Sequence, residues 1–346
     1  KVLALTVVLA TLLSISAFAA FSDEESIDES FVDAVNLLGA LNVMTGDTEG
    51  TFRPNDTISR AEAAKMIYVI RNGGVDDKAA GWTGMTTFSD VASGVWYEGY
   101  VNYCASLGII AGIGGGKFNP SGAVTGVELA KMMLVVADYR PDIEQYTGTG
   151  WNLNVIRDAQ AAGMFKGYTL AYSAAATRQQ AAQLFSNAIL ETQIAVYIGD
   201  TRVNDLAAIT NTDTIGGRYF GLFTVTGILT KVQHVDLPLT YGVNDTVANG
   251  TASSLNTNDN LSEISNVQRV NGNTTVVPTT FEFAADPDLL YQEVDVIFRE
   301  DTDDPGVLSR DSKVYVVLAT GNTYVYETTM DAINIEVKDD SKAPQT

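Results

Sequence analysis

Three stretches of this chain share one pattern, and self-similarity on that scale commits a protein to stacked units before any single motif is weighed. The first runs LLGALNVMTGDTEGTFRPNDTISRAEAAKMI from Leu37 to Ile67, and the second SLGIIAGIGGGKFNPSGAVTGVELAKMM from Ser106 to Met133. They superpose without a gap from Gly46 and Gly112 onward. Each glycine precedes an aromatic by six residues, Phe52 or Phe118, and each aromatic precedes Ile58 or Val124 by six more. A third stretch, AAGMFKGYTLAYSAAATRQQAAQLF, keeps Gly163, Gly167 and Thr177-Arg178 around a shorter loop. Trp96 lies twelve residues before Gly108 and Trp151 twelve before Gly163, where the first stretch has Ser30. Phe21-Ser22-Asp23 and Phe88-Ser89-Asp90 open the first two copies, and the third lacks this element.

Apolar residues recur at helical spacing, as in Phe31, Val35 and Leu38 and again in Ala61, Ala64, Met66 and Val69, so each copy reads as two helices joined by a Gly-rich loop. The second helix has a legible start. Ser59, Thr125 or Thr177 stands at the N-cap, with Glu62, Glu128 or Gln180 three residues on. That spacing is a capping box, in which side chains satisfy the orphan backbone N–H groups at a helix start.

Taken together, Phe-Ser-Asp, Trp-Tyr, Leu-Gly-Ile-Ile-x-Gly, a Gly-rich loop to Phe-Asn-Pro, and Val-Thr-x-x-Glu resemble the S-layer-homology repeat. Ile58-Ser59-Arg60-Ala61-Glu62 is similar to that family's Ile-Thr-Arg-Ala-Glu signature. The resemblance covers roughly Phe21 to Leu190. It implies three helical repeats (20–80, 85–141 and 145–193) in a pseudo-threefold bundle whose grooves bind a secondary cell-wall polysaccharide, often pyruvylated. Arg60 and Arg178, one residue past the N-cap, are its expected ligand contacts, because a helix N-terminus and a guanidinium both attract an anion. Gly126 stands where the second copy should carry its arginine, which puts that groove in doubt. Trp96 and Trp151 could stack on a sugar, although core filling is the more frequent use of tryptophan. Asp23 and Asp90 either orient an arginine or end a turn. Gly46 and Gly112 are expected to supply unusual backbone angles and, secondarily, close approach to a ligand.

Around the repeats the sequence is also informative. Lys1 is followed by an apolar run, by Ala17-Phe18-Ala19 and by an acidic stretch, the pattern of a secretory signal peptide over residues 1–19. No other segment reads as a membrane-spanning helix. From Ala195 onward the chain is rich in Val, Thr, Tyr, Asn, Asp and Gly. Alternating stretches YFGLFTVTGILTKVQHV, QEVDVIFRE, SKVYVVLAT and NTYVYETT predict an all-β region over 194–340, as one or two antiparallel barrels or sandwiches. Turn signals lie at Gly216-Gly217, Asn249-Gly250, Asn271-Gly272 and Asp304-Pro305-Gly306. The fold class expected is therefore multidomain, α followed by all-β.

A net charge of -21 argues against nucleic-acid binding. Gly112-Ile113-Gly114-Gly115-Gly116-Lys117 matches neither a dinucleotide fingerprint nor a P-loop. Cys104 reads as a small core residue, and His234 has no companions for a triad or metal site. No catalytic or metal signature emerges, and no cofactor is implied. The acidic turn at Glu300-Asp301-Thr302-Asp303-Asp304 could offer oxygen ligands to calcium, but a solvated turn fits its spacing better. These readings converge on a secreted cell-surface structural protein, held on wall polymer and self-associating in a surface lattice. Alternatives are an enzyme so anchored, with its catalytic part outside this sequence, and an outer-membrane protein gripping peptidoglycan.

Overall fold

The computed structural model describes residues 21–85, 87–203, 214–232, 261–270, 273–299, 307–310 and 312–322. The expected signal peptide, His234, Asn249-Gly250, the acidic turn at 300–304 and Asp304-Pro305-Gly306 lie outside them, as does NTYVYETT after its first residue. Six helices come first: α1 (Val32–Ala40), α2 (Arg60–Arg71), α3 (Glu98–Ser106), α4 (Gly126–Val136), α5 (Trp151–Ala161) and α6 (Arg178–Glu191). A short hairpin, β1 (Tyr197–Ile198) and β2 (Thr201–Arg202), follows, and then helix α7 (Ile215–Phe220). Five longer strands complete the fold: β3 (Leu222–Lys231), β4 (Leu261–Val270), β5 (Asn273–Glu282), β6 (Glu293–Arg299) and β7 (Lys313–Ala319).

The helices pair between neighbouring copies: α2 packs on α3, α4 on α5, and α6 on α1. The residue just before each second-helix cap joins the copies through backbone. Ile58 N–H donates to the Ala176 carbonyl (3.0 Å), Ala176 N–H to Val124 (2.9 Å), and Val124 N–H to Ile58 (3.0 Å). These three bonds close a cycle. Ile58, Ala176 and Val124 are all fully buried, so each bond is made away from water.

All three capping boxes form. Ser59, Thr125 and Thr177 accept from the N–H of Glu62, Glu128 and Gln180, whose side chains accept in return from the cap backbone. The boxes matter because the same turn also supplies the inter-copy bonds, leaving few orphan donors at any of the three helix starts.

The long strands form one antiparallel sheet in the order β5-β4-β3-β6-β7. Among the described residues the sheet is open, so of the expected barrel or sandwich the closed barrel is not formed: β5 and β7 remain outer strands that do not pair with each other. Adjacent β4 and β5 stay in register up to Val270 and Asn273, on either side of the Asn271-Gly272 turn signal. Gly216-Gly217 is not a turn but the interior of α7, capped by Thr214, whose hydroxyl accepts from Gly217 N–H. Gly221, at φ 65°, ends α7 in the left-handed region and lets β3 begin at the next residue.

Alternation on β6 sorts its side chains to two cores. Val294, Val296 and Phe298 pack with Leu229 and Phe281 on one side, whereas Ile297 joins Tyr315 and Val316 in the apolar core of the helices. The β6–β7 part of that face is thereby buried on the helical unit, whereas Thr224, Thr226 and Ile228 of β3 on the same face stay exposed. Among the described residues no helix is long and apolar enough to cross a membrane.

Candidate functional site

The junctions between copies contain most of the residues singled out above. At the first, the Arg60 guanidinium donates from Nε to the Phe118 carbonyl (2.8 Å) and from Nη2 to that of Ala111 (2.7 Å). Its Nη1 lies 3.5 Å from Glu128 Oε1, and its carbon stands 4.7 Å from the centre of the Phe118 ring. Arg178 repeats this arrangement against the first copy. Its Nε donates to the Phe52 carbonyl (2.6 Å), its Nη1 pairs with Glu62 Oε1 at 3.4 Å, and it lies 5.2 Å from the Phe52 ring centre.

Both arginines are 6% exposed. Burial lowers the proton affinity of each guanidinium, and Glu128 or Glu62 beside it works the other way. The guanidinium forks are therefore spent largely on protein carbonyls and on glutamates that also serve the caps. Arginine suits this position because its planar fork can reach a carbonyl, a carboxylate and a ring at once.

The junction between the second and third copies is built differently. A Cβ on Gly126 would lie 2.3 Å from Leu170 Cδ2, and Leu170 occupies the register position of Phe52 and Phe118. The arginine and the aromatic are replaced together. Backbone pairing persists all the same, with Val127 N–H donating to the Tyr172 carbonyl at 2.9 Å as Ala61 does to Pro120 and Gln179 to Pro54.

Asp23 and Asp90 hold the same loops from the other side. Asp23 accepts from the N–H groups of Phe52 (2.6 Å) and Arg53 (2.7 Å); Asp90 accepts from Phe118 and Asn119, both at 2.8 Å. The bond from Phe118 is the main cause holding the Asp90 carboxyl below its usual range. Neither aspartate bonds an arginine directly. Each instead fixes the N–H of the residue whose carbonyl receives the guanidinium.

Gly46 and Gly112 are not at positive φ, contrary to the expectation of unusual backbone angles. They are required by contact: a Cβ would stand 3.1 Å from Phe21 at Gly46, and 2.6 Å from the Lys117 carbonyl and 2.8 Å from Phe88 at Gly112. The aromatic of each Phe-Ser-Asp element thus sits on a glycine.

Of the tryptophans, Trp96 departs from the core assignment that its residue type favours. It is 55% exposed and leans on Tyr97 and Tyr100, with ring centres 5.3 and 6.3 Å away. Trp151, partly buried at the start of α5, lies 5.0 Å from Lys131 Nζ. Lys131 also donates to the Tyr146 carbonyl (2.6 Å), and burial lowers its proton affinity. This pair was missed from sequence, although Lys131 sits six residues after the Thr125 cap, as Lys65 does after Ser59. Cys104 is fully buried on α3, which pushes its thiol well above the usual range.

Residues 20–64 and 87–130 match the model of the S-layer homology domain. A surface layer protein of Brevibacillus choshinensis is 33% identical over 142 residues, covering 39% of this chain and 12% of that protein. A cellulosome-anchoring protein of Acetivibrio thermocellus is 28% identical over 134 residues, 36% of this chain and 30% of its own length. An amylopullulanase of Thermoanaerobacterium thermosulfurigenes is 26% identical over 187 residues, 49% of this chain and 10% of its own. The chain thus spans less than a third of each of these relatives. Together the domain match and the surface-layer relatives indicate a secreted, cell-wall-associated surface protein.

Proposed function

We propose that three S-layer homology repeats, the third included, form a pseudo-threefold bundle that anchors this protein non-covalently to a secondary cell-wall polysaccharide. The observation that carries the proposal is the kind of relatives sharing this region. A surface layer protein, a cellulosome-anchoring protein and an amylopullulanase differ in their printed roles, and attachment is the task that would be common to all three. The cycle of backbone bonds through Ile58, Val124 and Ala176 supports the threefold arrangement.

In this reading Arg60 and Arg178, paired with Glu128 and Glu62, act with Asp23 and Asp90 to fix the loops that a polymer anion, such as a pyruvate ketal, would meet. Trp96 offers an exposed aromatic face to a sugar, and Trp151 with Lys131 offers a second surface carrying charge. Gly46 and Gly112 keep the loops tight against Phe21 and Phe88. The β sheet, packed on the helical unit through part of one face, would contribute to a lateral surface array through self-association. A second reading, an anchored enzyme whose catalytic part lies outside this sequence, is favoured by the amylopullulanase match.

The test is co-sedimentation of the full chain with purified wall sacculi before and after acid extraction of the secondary polymer. Loss of binding on extraction supports the proposal. Undiminished binding to extracted sacculi, or none to intact ones, overturns it.

A further inference from the structure

The strands of the large sheet are not paired along their whole length. β3 pairs with β6 from Leu222 to Ile228, but with β4 only from Gly227 to Lys231. β4 continues beside β5 as far as Val270 and Asn273, past Asn266, which meets the last of its β3 partners. Two stretches therefore keep an open edge among the described residues: 222–226 of β3 and 267–270 of β4. The first is a notch in the sheet, and the second belongs to a two-stranded arm beside it. Within one chain both start from the pair Gly227 and Asn266 and part from there, so the arm leaves its own notch unfilled.

The notch faces outward with its backbone. Leu229 gives its N–H to the Gln292 carbonyl (3.0 Å) and accepts from Tyr291 (2.7 Å), both on the β6 side. The register with β6 has no shift between Leu222 and Ile228. Alternation thus directs the N–H and C=O of Phe223, Val225 and Gly227 to β6, and those of Thr224 and Thr226 to the open edge. Both threonines are exposed. Sheet edges are normally guarded by charge or proline, because an open row of backbone donors and acceptors is a template for another strand. β5, an outer strand, carries Pro278, whereas 222–226 reads Leu-Phe-Thr-Val-Thr, with neither guard.

Charge points to what fills the notch. The chain carries a net charge of -21 with 42 Asp and Glu, so two copies repel over most of their surfaces. Residues 222–230 hold no charged side chain, and residues 264–281, which include the arm, hold Arg269 and no carboxylate. Notch and arm are thus places where two such acidic molecules can meet without opposing acids. They also match in reach, each roughly 15 Å at ~3.3 Å per residue.

We propose that the β4–β5 arm of one copy adds its open β4 edge to the β3 notch of a second copy, a strand-addition contact that rests on the lateral-array reading above. Sedimentation equilibrium of the full chain should show self-association that grows with concentration. Thr224→Pro removes an outward N–H and none given to β6, and should raise the dissociation constant about two- to tenfold, the range for one hydrogen bond. Arg269→Glu places a carboxylate on the arm without touching β3, and should weaken association more at low salt than at high.

The contact itself is read by mixing Thr224→Cys chains with Gln268→Cys chains and adding a short bis-maleimide. Cys104 is fully buried and stays silent. Cross-links between the two kinds of chain are expected to exceed those within either kind. A chain that is monomeric at every concentration, association unchanged in both Thr224→Pro and Arg269→Glu, or cross-links between like chains alone overturns the proposal. Sacculus co-sedimentation reports the anchoring separately. A chain that sediments with sacculi but stays monomeric refutes the arm contact alone, and one that associates through the arm without sedimenting upholds the contact and refutes the anchoring.

Discussion

Gly126 and Leu170 meet so closely that no side chain fits between them, and they do so at the position where Arg60 meets Phe118 and Arg178 meets Phe52. One pair is small and apolar, the others large and charged, yet the backbone bonds around them are the same.

That relationship predicts coupled substitutions. Gly126→Arg alone should destabilise by about 1–3 kcal/mol, because Leu170 must be displaced from a filled site. Adding Leu170→Phe should return part of the loss, with a coupling of about 0.5–3 kcal/mol in a double-mutant cycle followed by urea unfolding. Strict additivity of the two changes would contradict the pairing.

Arg178→Ala should cost on the order of 2–4 kcal/mol, since it leaves the Phe52 carbonyl without its donor and Glu62 without its cation. Arg178→Lys should restore only part of this, lacking the fork that serves both groups. Equilibrium unfolding of the two variants would check the order, and equal stability would show that charge alone is used.

Acid should loosen the loops in a defined window. Thr51 is the chief cause of an Asp47 carboxyl lowered to about 2, and the Phe118 N–H is the chief cause of the lowered Asp90. A carboxyl with a depressed folded pKa contributes stability that is complete above its unfolded value, near 3.9, and is lost as pH falls through the folded one. Thermal stability measured from pH 6 to pH 2 should therefore be insensitive to these groups above about pH 4.5 and fall below it, with a shallower fall in Asp90→Asn.

Cys104 should resist modification in the folded protein, being fully buried with a thiol pushed up by its surroundings. Mass spectrometry after maleimide treatment is expected to show an unmodified native chain and complete labelling in urea. Fast labelling under native conditions would mean that α3 opens readily.

What could be read from the sequence depended on how local its cause was. Helix starts were legible because Ser59 and Glu62, or Thr177 and Gln180, act within one turn. The strands β3, β6 and β7 were legible from alternation. Gly216-Gly217 was misread because its helix is held by contacts distant in sequence: a Cβ on Gly216 would approach the Ile189 carbonyl to 2.8 Å. The arginines were correctly located at helix starts, but their burial depends on carbonyls from another copy, which spacing does not report. Trp96 escaped for the reverse reason: residue type favours burial, but the neighbouring Tyr97 and Tyr100 support it at the surface.

The ring of bonds through Ile58, Val124 and Ala176 has no free end, because each residue gives one bond and receives another. Deleting any copy would strand a donor and an acceptor in a dry interior, so the three should melt together and no single copy should survive excision. A chain emerging from the ribosome holds the first two members of the ring long before the third. Completion of this unit must therefore wait for Ala176, which makes its folding a late event controlled by the last copy rather than a sequence of independent steps.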